Sequence, residues 1–162
     1  MRLRVSALIS AEVGAQSSVT IDQGHCQLGP DLGVDFVRGR LALIRTDQHI
    51  LVQGSLTSAL SAECVRCLES FRLPVQVQLE ELYALTSGPH APDPLYVVAP
   101  DGTIDLTHPL RENVLLAQPM KPVCRPDCKG LCASCGKNLN EGPCDCEDEL
   151  IDPRLAALKA LL

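Results

Sequence analysis

Apolar and polar residues alternate along three successive segments between residues 34 and 85, and this pattern predicts β-strands. The apolar positions of one face are Val37, Leu41 and Leu43 in the first segment, Ile50, Val52, Leu56 and Leu60 in the second, and Leu73, Val75, Val77 and Leu79 in the third. Short connections join the segments. We therefore expect an antiparallel meander, or a partly closed barrel, with one face in solvent.

Weaker patterns flank this region. Alternation over residues 3–9 predicts a first strand, and a short strand is possible near residues 19–21. Residues 95–106 read as a small hairpin, and the proline-rich stretch 86–94 reads as a disordered loop. A helix should follow, with Thr107 as its N-cap and with Pro119 ending it.

The expected class is α+β, with the helix packed on the sheet and a zinc-ribbon-like tail. We expect three parts: a β-rich core domain over residues 1–120, a cysteine-rich zinc-binding segment over 121–150, and a docking helix over 151–162. Asp152 would cap this last helix, which is too short to be stable alone and must dock on an apolar surface.

Six of the nine cysteines fall between residues 124 and 146, in a segment with few large aliphatic side chains. Burial alone cannot offset the ordering entropy of such a segment, so zinc is the favoured explanation. Disulfides and free structural thiols are the alternatives. No secretory signal peptide is recognisable and the cysteine count is odd, which favours metal in a reducing, cytoplasmic setting.

The remaining close pair, Cys64-x-x-Cys67, lies at the predicted tip of the hairpin between the second and third segments. A hairpin turn aims both thiolates the same way, as in zinc knuckles. A redox pair is the alternative, but redox pairs usually begin a helix, which lowers the thiol pKa. Cys26, beside His25, has no close partner and is interpreted as apolar filler.

Charge is distributed unevenly along the chain. The net charge of -6 and the absence of a long apolar run argue against a protein coated in basic surface and against a membrane span. Residues 121–137 nevertheless hold four basic residues against one acid, a local +3, whereas residues 138–152 hold six acids and no base. The candidate contacts to RNA or to a protein partner are Lys121, Arg125, Lys129 and Lys137.

No catalytic constellation is recognisable. The sequence has no glycine-rich phosphate loop, no Gly-x-Ser-x-Gly elbow and no His-Glu-x-x-His motif. We therefore expect a protein that is not an enzyme and that has no small-molecule substrate.

Several motifs together resemble those of the YceD-like family, whose members are linked to accumulation of large-subunit ribosomal RNA in bacteria and chloroplasts. The resemblance covers residues 34–162. Its motifs are Cys64-x-Arg-Cys67, Gly102-Thr-Ile-Asp-Leu106, Cys124-x3-Cys128-Lys-Gly-Leu-Cys132-x2-Cys135-Gly-Lys-Asn-Leu-Asn140, Cys144-x-Cys146 and the terminal Asp-Pro-Arg-Leu-Ala-Ala-Leu-Lys segment.

The resemblance implies a division of the thiols, because some family members carry His-x3-His where this chain has Cys124 and Cys128. One zinc site would then comprise Cys64, Cys67, Cys124 and Cys128, and a second Cys132, Cys135, Cys144 and Cys146. A tail-only pairing of Cys124 and Cys128 with Cys132 and Cys135 remains open. Two such sites would hold two structural zinc ions.

The resemblance also implies a role in ribosome biogenesis, with 23S rRNA accumulation promoted through contact with rRNA or a ribosomal protein of the large-subunit precursor. The alternatives are a zinc-ribbon protein-interaction module outside ribosome assembly, for example with the transcription machinery, and a thiol-disulfide enzyme.

Overall fold

The computed structural model describes residues 1–85 and 96–146. Nine strands and two helices lie in these residues. They are β1 (Arg2–Arg4), α1 (Ser6–Ile9), β2 (Gln16–Gln23), β3 (Cys26–Gly29), β4 (Leu32–Val34), β5 (Phe36–Arg45), β6 (His49–Glu63), β7 (Ser70–Ala84), β8 (Tyr96–Val97), β9 (Thr103–Asp105) and α2 (Thr107–Ala117). The predicted loop over 86–94 and the predicted helix over 151–162 lie outside the described residues, and the division of the chain at residue 120 stays a prediction.

The predicted meander is confirmed as the centre of a five-stranded sheet with the order β2-β5-β6-β7-β8. Strands β5, β6 and β7 pair antiparallel, and β6 and β7 form a fifteen-residue hairpin ladder from His49↔Ala84 to Glu63↔Ser70. The alternation explains this ladder, because every second side chain reaches one face and only that face is apolar. The prediction of a partly closed barrel is wrong for the part of the chain described, where β2 and β8 are the two edges of an open sheet.

The apolar face of the sheet carries the core. Helix α2 covers it with Leu110 and Val114, beside the hairpin β3–β4 with its buried Leu28 and Leu32. The other face is polar: on three adjacent strands Arg40, Ser55 and Gln78 stand in register, and the Gln78 amide donates to the Ser55 hydroxyl at 3.2 Å. The core therefore lies on one side of the sheet.

Two glycines in the β5–β6 ladder leave no room for a side chain, with φ of 153° at Gly39 and 159° at Gly54. A Cβ atom at Gly54 would lie 2.2 Å from the backbone oxygen of Arg40, and one at Gly39 would lie 2.3 Å from the backbone oxygen of Ser55. The glycines stand at diagonal positions of the same ladder, where Arg40 pairs with Ser55. A side chain at either position would push the two backbones apart.

The first predicted strand, over residues 3–9, is wrong beyond Arg4. After β1 the chain turns into α1, where the N–H groups of Leu8 and Ile9 both donate to the Val5 carbonyl. Val5 is buried, and its own N–H donates to the Gly102 carbonyl at 2.8 Å. The buried side chains of this stretch, Val5 and Leu8, therefore reach the core from a single helical turn. Alternation of apolar and polar residues over so few positions is compatible with a strand and with a single helical turn.

The predicted hairpin over residues 95–106 is also wrong in its pairing. A turn exists, with the Gly102 N–H donating to the Ala99 carbonyl, but β8 pairs parallel with β7 and β9 pairs antiparallel with β1. Strand β9 thus pairs with the start of the chain, and β8 pairs with the strand that precedes it. Pairing partners of two- and three-residue strands are set by tertiary contacts and not by local pattern.

Helix α2 begins and ends close to the predicted positions, but its cap differs. The N-cap position is Leu106, and not Thr107, and no side chain caps the helix from it. The carboxylate of Asp105, one residue earlier, accepts instead from the Thr107 N–H at 2.8 Å and from the Thr107 hydroxyl at 2.6 Å. Burial opposes ionisation, but these hydrogen bonds outweigh it and lower the pKa of Asp105 to about 2. The helix ends at Ala117, and extended Gln118 precedes Pro119.

Within residues 1–85 and 96–146, no helix has the length and apolarity that a membrane crossing requires.

Candidate metal centres

The tip of the β6–β7 hairpin meets the cysteine-rich segment, and this contact brings four thiols together. Cys64 and Cys67 come from the tip, and Cys124 and Cys128 come from the segment that follows α2. We call these four the buried centre, because Cys64 is 0% exposed and Cys67 and Cys128 are each 4% exposed. Phe71, Val123 and Leu131 pack around them.

Distances in the buried centre match those between ligands of one tetrahedral zinc ion. The Sγ atoms of Cys64 and Cys128 lie 3.8 Å apart, and those of Cys67 and Cys124 lie 3.7 Å apart. Zinc–sulfur bonds of about 2.3 Å in tetrahedral geometry separate the sulfurs by about 3.8 Å. A disulfide would need about 2.0 Å. The donor set therefore fits a metal ion and not a disulfide, and all nine cysteines are free.

Backbone hydrogen bonds also join the hairpin tip to the tail. The Val65 N–H donates to the Pro122 carbonyl at 2.9 Å, and the Leu131 N–H donates to the Arg66 carbonyl at 3.1 Å. The Arg66 guanidinium reaches across and donates to the Cys128 carbonyl at 2.9 Å. The tip and the tail thus form one continuous structure around the four thiols.

A second group of four thiols lies within the tail itself. Cys132, Cys135, Cys144 and Cys146 have Sγ atoms within 4.8 Å of one another, as do those of the buried centre. We call this group the exposed centre, because Cys135 is exposed and the other three are half-buried. All its ligands come from one short loop, residues 132–146, which we call the tail loop.

Both centres use the same turn. The residue directly after the second cysteine of each Cys-x-x-Cys pair has a positive φ: 72° at Gly136 after Cys135, and 60° at Leu68 after Cys67. This conformation lets the chain fold back so that both thiols face one point. For Leu68 it costs about 1–2 kcal/mol, so the surrounding contacts must hold it.

The thiols of each centre differ widely in pKa. Burial opposes ionisation of Cys64, but neighbouring backbone N–H groups outweigh it and lower the pKa of Cys64 to about 6. Burial and contacts with other thiols raise the pKa of Cys124 to about 12. In the exposed centre, backbone N–H groups lower the pKa of Cys132 to about 6, and the thiol of Cys135 raises that of Cys146 to about 12. The thiols of a centre compete for ionisation, because one thiolate disfavours ionisation of the thiols beside it. A divalent cation would remove this competition by binding all four sulfurs as thiolates.

The two groups found in the structure match the division that the family resemblance implies, and not the tail-only alternative. Neither group includes Cys26, which is half-buried at the margin of the core, as expected for apolar filler. The eight thiols could hold two metal ions in sites without a free coordination position.

The four basic candidates lie on the outside of the tail. Lys121, Arg125, Lys129 and Lys137 are all exposed; Arg125 has a weak ion pair with Asp127 at 3.7 Å, and Lys137 donates to the Pro143 carbonyl. Within the described residues, the other two have no ion pair. We call these four residues the basic tail surface.

Sequence reasoning missed three residues at this site. Arg66 contacts the tail only because the hairpin tip folds against it. From the tail loop, Asn140 contacts the thiol of Cys128 and Asn138 contacts Glu69 next to the hairpin tip. The motif Cys135-Gly-Lys-Asn-Leu-Asn140 contains both asparagines, but spacing alone assigns them no contact.

Comparison with known protein families identifies a family match. The family described as "Large ribosomal RNA subunit accumulation protein YceD" matches residues 52–162, a range that contains all eight thiols of the two centres. No solved structure matches the chain.

Individual relatives match to different extents. An uncharacterized protein of Mycobacterium tuberculosis is 40% identical over 148 residues, 89% of this chain and 66% of the relative, so the chain spans just under two thirds of that protein. The Bacillus subtilis protein YlbN is 29% identical over 127 residues, 78% of this chain and 73% of the relative.

A plant relative carries a descriptive name. The maize "Large ribosomal RNA subunit accumulation protein YCED homolog 1, chloroplastic" is 41% identical over 56 residues, 34% of this chain and 19% of the relative. The family match covers more than half of the chain and includes the hairpin tip and both cysteine groups. The chain therefore belongs to the YceD family of large ribosomal RNA subunit accumulation proteins.

Proposed function

We propose that the protein is a non-enzymatic factor in ribosome biogenesis, which promotes the accumulation of 23S rRNA by contacting rRNA or a ribosomal protein of the large-subunit precursor. The observation that carries this proposal is the family match over residues 52–162, because the family's description and the maize relative's name both state large ribosomal RNA subunit accumulation. The mechanism and the partner are our inference from the geometry of the tail.

Zinc is the metal proposed for both centres. Four thiolates in tetrahedral arrangement are the donor set of structural zinc, and such a set leaves no position for substrate or water. This supports a structural and not a catalytic role. Residues Cys64, Cys67, Cys124 and Cys128 would hold one ion, and Cys132, Cys135, Cys144 and Cys146 the other.

Protein purified under reducing conditions should contain close to two zinc ions per chain by elemental analysis. Acidification should release them, because protons compete with the metal for the thiolates. A Cys26→Ser variant is the matched control and should retain both ions, since Cys26 lies outside both centres. A zinc content near zero, with all thiols reactive, would contradict the zinc proposal.

The basic tail surface is the proposed contact with the precursor particle. Its cations project from a backbone fixed by two centres on an otherwise acidic protein, so it can reach only a few phosphates. Binding to naked RNA should be weak and should fall with salt by about one log unit per phosphate contact for each tenfold rise in salt concentration. Specificity would then come from the shape of the particle or from a protein partner.

Reversing two charges of this surface tests the proposed contact. Lys129→Glu with Lys137→Glu should leave the zinc content at two, yet lower the recovery of mature large subunits in cells that depend on the protein. The reason is that two exposed cations become anions facing phosphate. Gradient sedimentation of ribosomal particles measures the effect.

Arg4→Glu with Arg40→Glu is the matched control, because both arginines are exposed, lie outside the tail and have no ion pair within the described residues. Full recovery of large subunits with the Lys129/Lys137 variant would show that the basic tail surface is not the contact.

A protein-interaction module outside ribosome assembly is the second candidate. The net charge of -6 favours it, because a protein partner needs fewer cations than RNA does. Sedimentation of the tagged protein with ribosomal particles, with and without nuclease treatment, separates the two candidates. Migration that never coincides with large-subunit particles favours the second.

A further inference from the structure

The two centres differ in what surrounds them. The buried centre joins residues far apart in sequence and has three buried thiols and one half-buried thiol, whereas the exposed centre lies in the tail loop with no buried thiol and with Cys135 at the surface. A chelator therefore reaches the exposed centre first. What happens to the buried centre afterwards depends on the contacts that the tail loop makes with it.

Two asparagines of the tail loop make these contacts. The Asn140 amide donates to the Sγ of Cys128 at 3.4 Å, and its oxygen accepts from the Lys129 N–H at 2.9 Å. The Asn138 amide donates to the Glu69 carboxylate at 2.8 Å, next to the hairpin tip. Both sides of the buried centre, the tip and the tail, are thus held by one loop.

The asparagines also hold each other. The Asn138 side-chain oxygen accepts from the Asn140 amide at 2.8 Å and from the Asn140 N–H at 3.0 Å. Cys135 precedes this pair and Cys144 follows it, so a metal ion bound to both cysteines would fix the ends of the short stretch between them. Release of that ion would remove the constraint at both ends of the stretch and leave the asparagines held by backbone hydrogen bonds, such as that from the Leu139 N–H to the Gly130 carbonyl at 2.9 Å.

We propose that Asn138 and Asn140 are positioning residues that couple the two centres. Zinc in the exposed centre fixes the tail loop, and the loop places the two asparagines so that the buried centre binds its own ion more tightly. This inference rests on the proposed zinc occupancy and not on the proposed ribosomal role.

Coupling of this kind has a measurable consequence. Each ion must raise the affinity for the other by the same factor, because coupling free energies are reciprocal. Typical couplings between sites are about 5- to 150-fold in affinity. Loss of a hydrogen-bond partner of a metal ligand typically costs about 10- to 100-fold. The protein should therefore bind its two ions cooperatively. It should release the ion of the exposed centre first, and the buried centre should then bind its own ion more weakly.

A double-mutant cycle on the whole chain tests the coupling. Zinc affinity of the buried centre is measured by competition with the chelator 4-(2-pyridylazo)resorcinol in four proteins: the unchanged protein, Asn140→Ala, Cys144→Ser/Cys146→Ser, and the triple variant. We expect the Cys144→Ser/Cys146→Ser protein to retain one ion, bound about 5- to 150-fold more weakly. Asn140→Ala should weaken the buried centre about 10- to 100-fold.

Non-additivity is the decisive readout. In the triple variant Asn140→Ala should add little, because the loop without its ion no longer positions the asparagine. Asn140→Asp keeps the size and an acceptor for the Lys129 N–H but removes the donor to sulfur, and it should behave like the alanine variant. Glu141→Ala, at an exposed residue of the same loop, is the matched control and should leave both ions in place.

Three other results would overturn the inference. If the buried centre binds zinc with equal affinity in all four proteins, and each protein has its expected zinc content, the two centres are not coupled. The zinc proposal would then stand. Additive losses in the triple variant show that Asn140 acts on Cys128 without help from the exposed centre. An unchanged protein that holds no zinc overturns the coupling and the zinc proposal together.

Discussion

A Cys64→Ser protein should retain one zinc ion per chain and should lose the connection between the hairpin tip and the tail. Cys64 is wholly buried, and its sulfur lies 3.8 Å from that of Cys128, so serine leaves the buried centre with three thiolates. The loss of affinity should exceed the 10- to 100-fold that changes next to a ligand typically cause.

Hydrogen exchange at two amides reports this loss directly. The N–H groups of Val65 and Leu131 donate across the junction, to Pro122 and Arg66 respectively, and both should exchange at least about tenfold faster in the variant. Amides of the central strands, such as those of Val52 and Val77, should keep their protection, because the ladder does not depend on the junction.

Cys26→Ser is the matched control, since it changes a half-buried thiol that lies outside both centres. It should retain two ions and normal exchange at both junction amides. Unchanged exchange of Val65 and Leu131 in the Cys64→Ser protein would show that backbone contacts hold the tail without the buried centre.

Gly54→Ala should destabilise the sheet more than an exposed substitution of the same size. The new methyl group would lie 2.2 Å from the Arg40 carbonyl oxygen and 3.0 Å from a methyl group of Leu41, and a backbone atom cannot move away cheaply. We expect a loss of about 2–5 kcal/mol in the free energy of unfolding, from overpacking and backbone strain together. This corresponds to a fall in Tm of about 4–20 °C, measurable by thermal unfolding.

Gly24→Ala is its control, because no atom lies within 4 Å of a Cβ at that position. It should change the free energy of unfolding by less than about 1 kcal/mol. A Gly54→Ala protein as stable as this control would mean that β5 and β6 can separate without loss of their pairing.

The central sheet was predictable because its signal is local. Val52, Leu56 and Val77 are buried as expected, since alternation decides which face of a strand is apolar wherever the strand pairs. The hairpin tip at Cys64 and Cys67 follows from the same pattern, because two long alternating segments with a short connection pair as a hairpin.

Features that depend on distant partners were not predictable from pattern. Strand β9 pairs with β1 across about a hundred residues, and β8 joins the sheet in parallel through two residues. Nothing in the alternation of either segment specifies these partners. The pattern also does not identify the partner of Tyr83, whose hydroxyl donates to the Asp105 carbonyl at 2.9 Å. Burial raises the pKa of this tyrosine.

The candidate site was predictable in composition but not in contacts. Cysteine spacing identifies the eight thiols, and the resemblance divides them into two groups, as the structure has them. Spacing contains no information on what the side chains between the cysteines touch. Asn140 and Arg66 therefore emerge as part of the site only when the tail lies against the hairpin tip.

The buried centre also sets an order of events during synthesis, because its ligands are so far apart in the chain. Cys64 and Cys128 are 64 positions apart, whereas the thiols of the exposed centre span only residues 132–146. Closing the longer loop costs roughly 1 kcal/mol more in chain entropy. At translation rates of about 5–20 residues per second, Cys64 waits about 3–13 s for Cys128 to be made. The β6–β7 hairpin can pair in that interval, so zinc would lock the buried centre onto a sheet that has already formed.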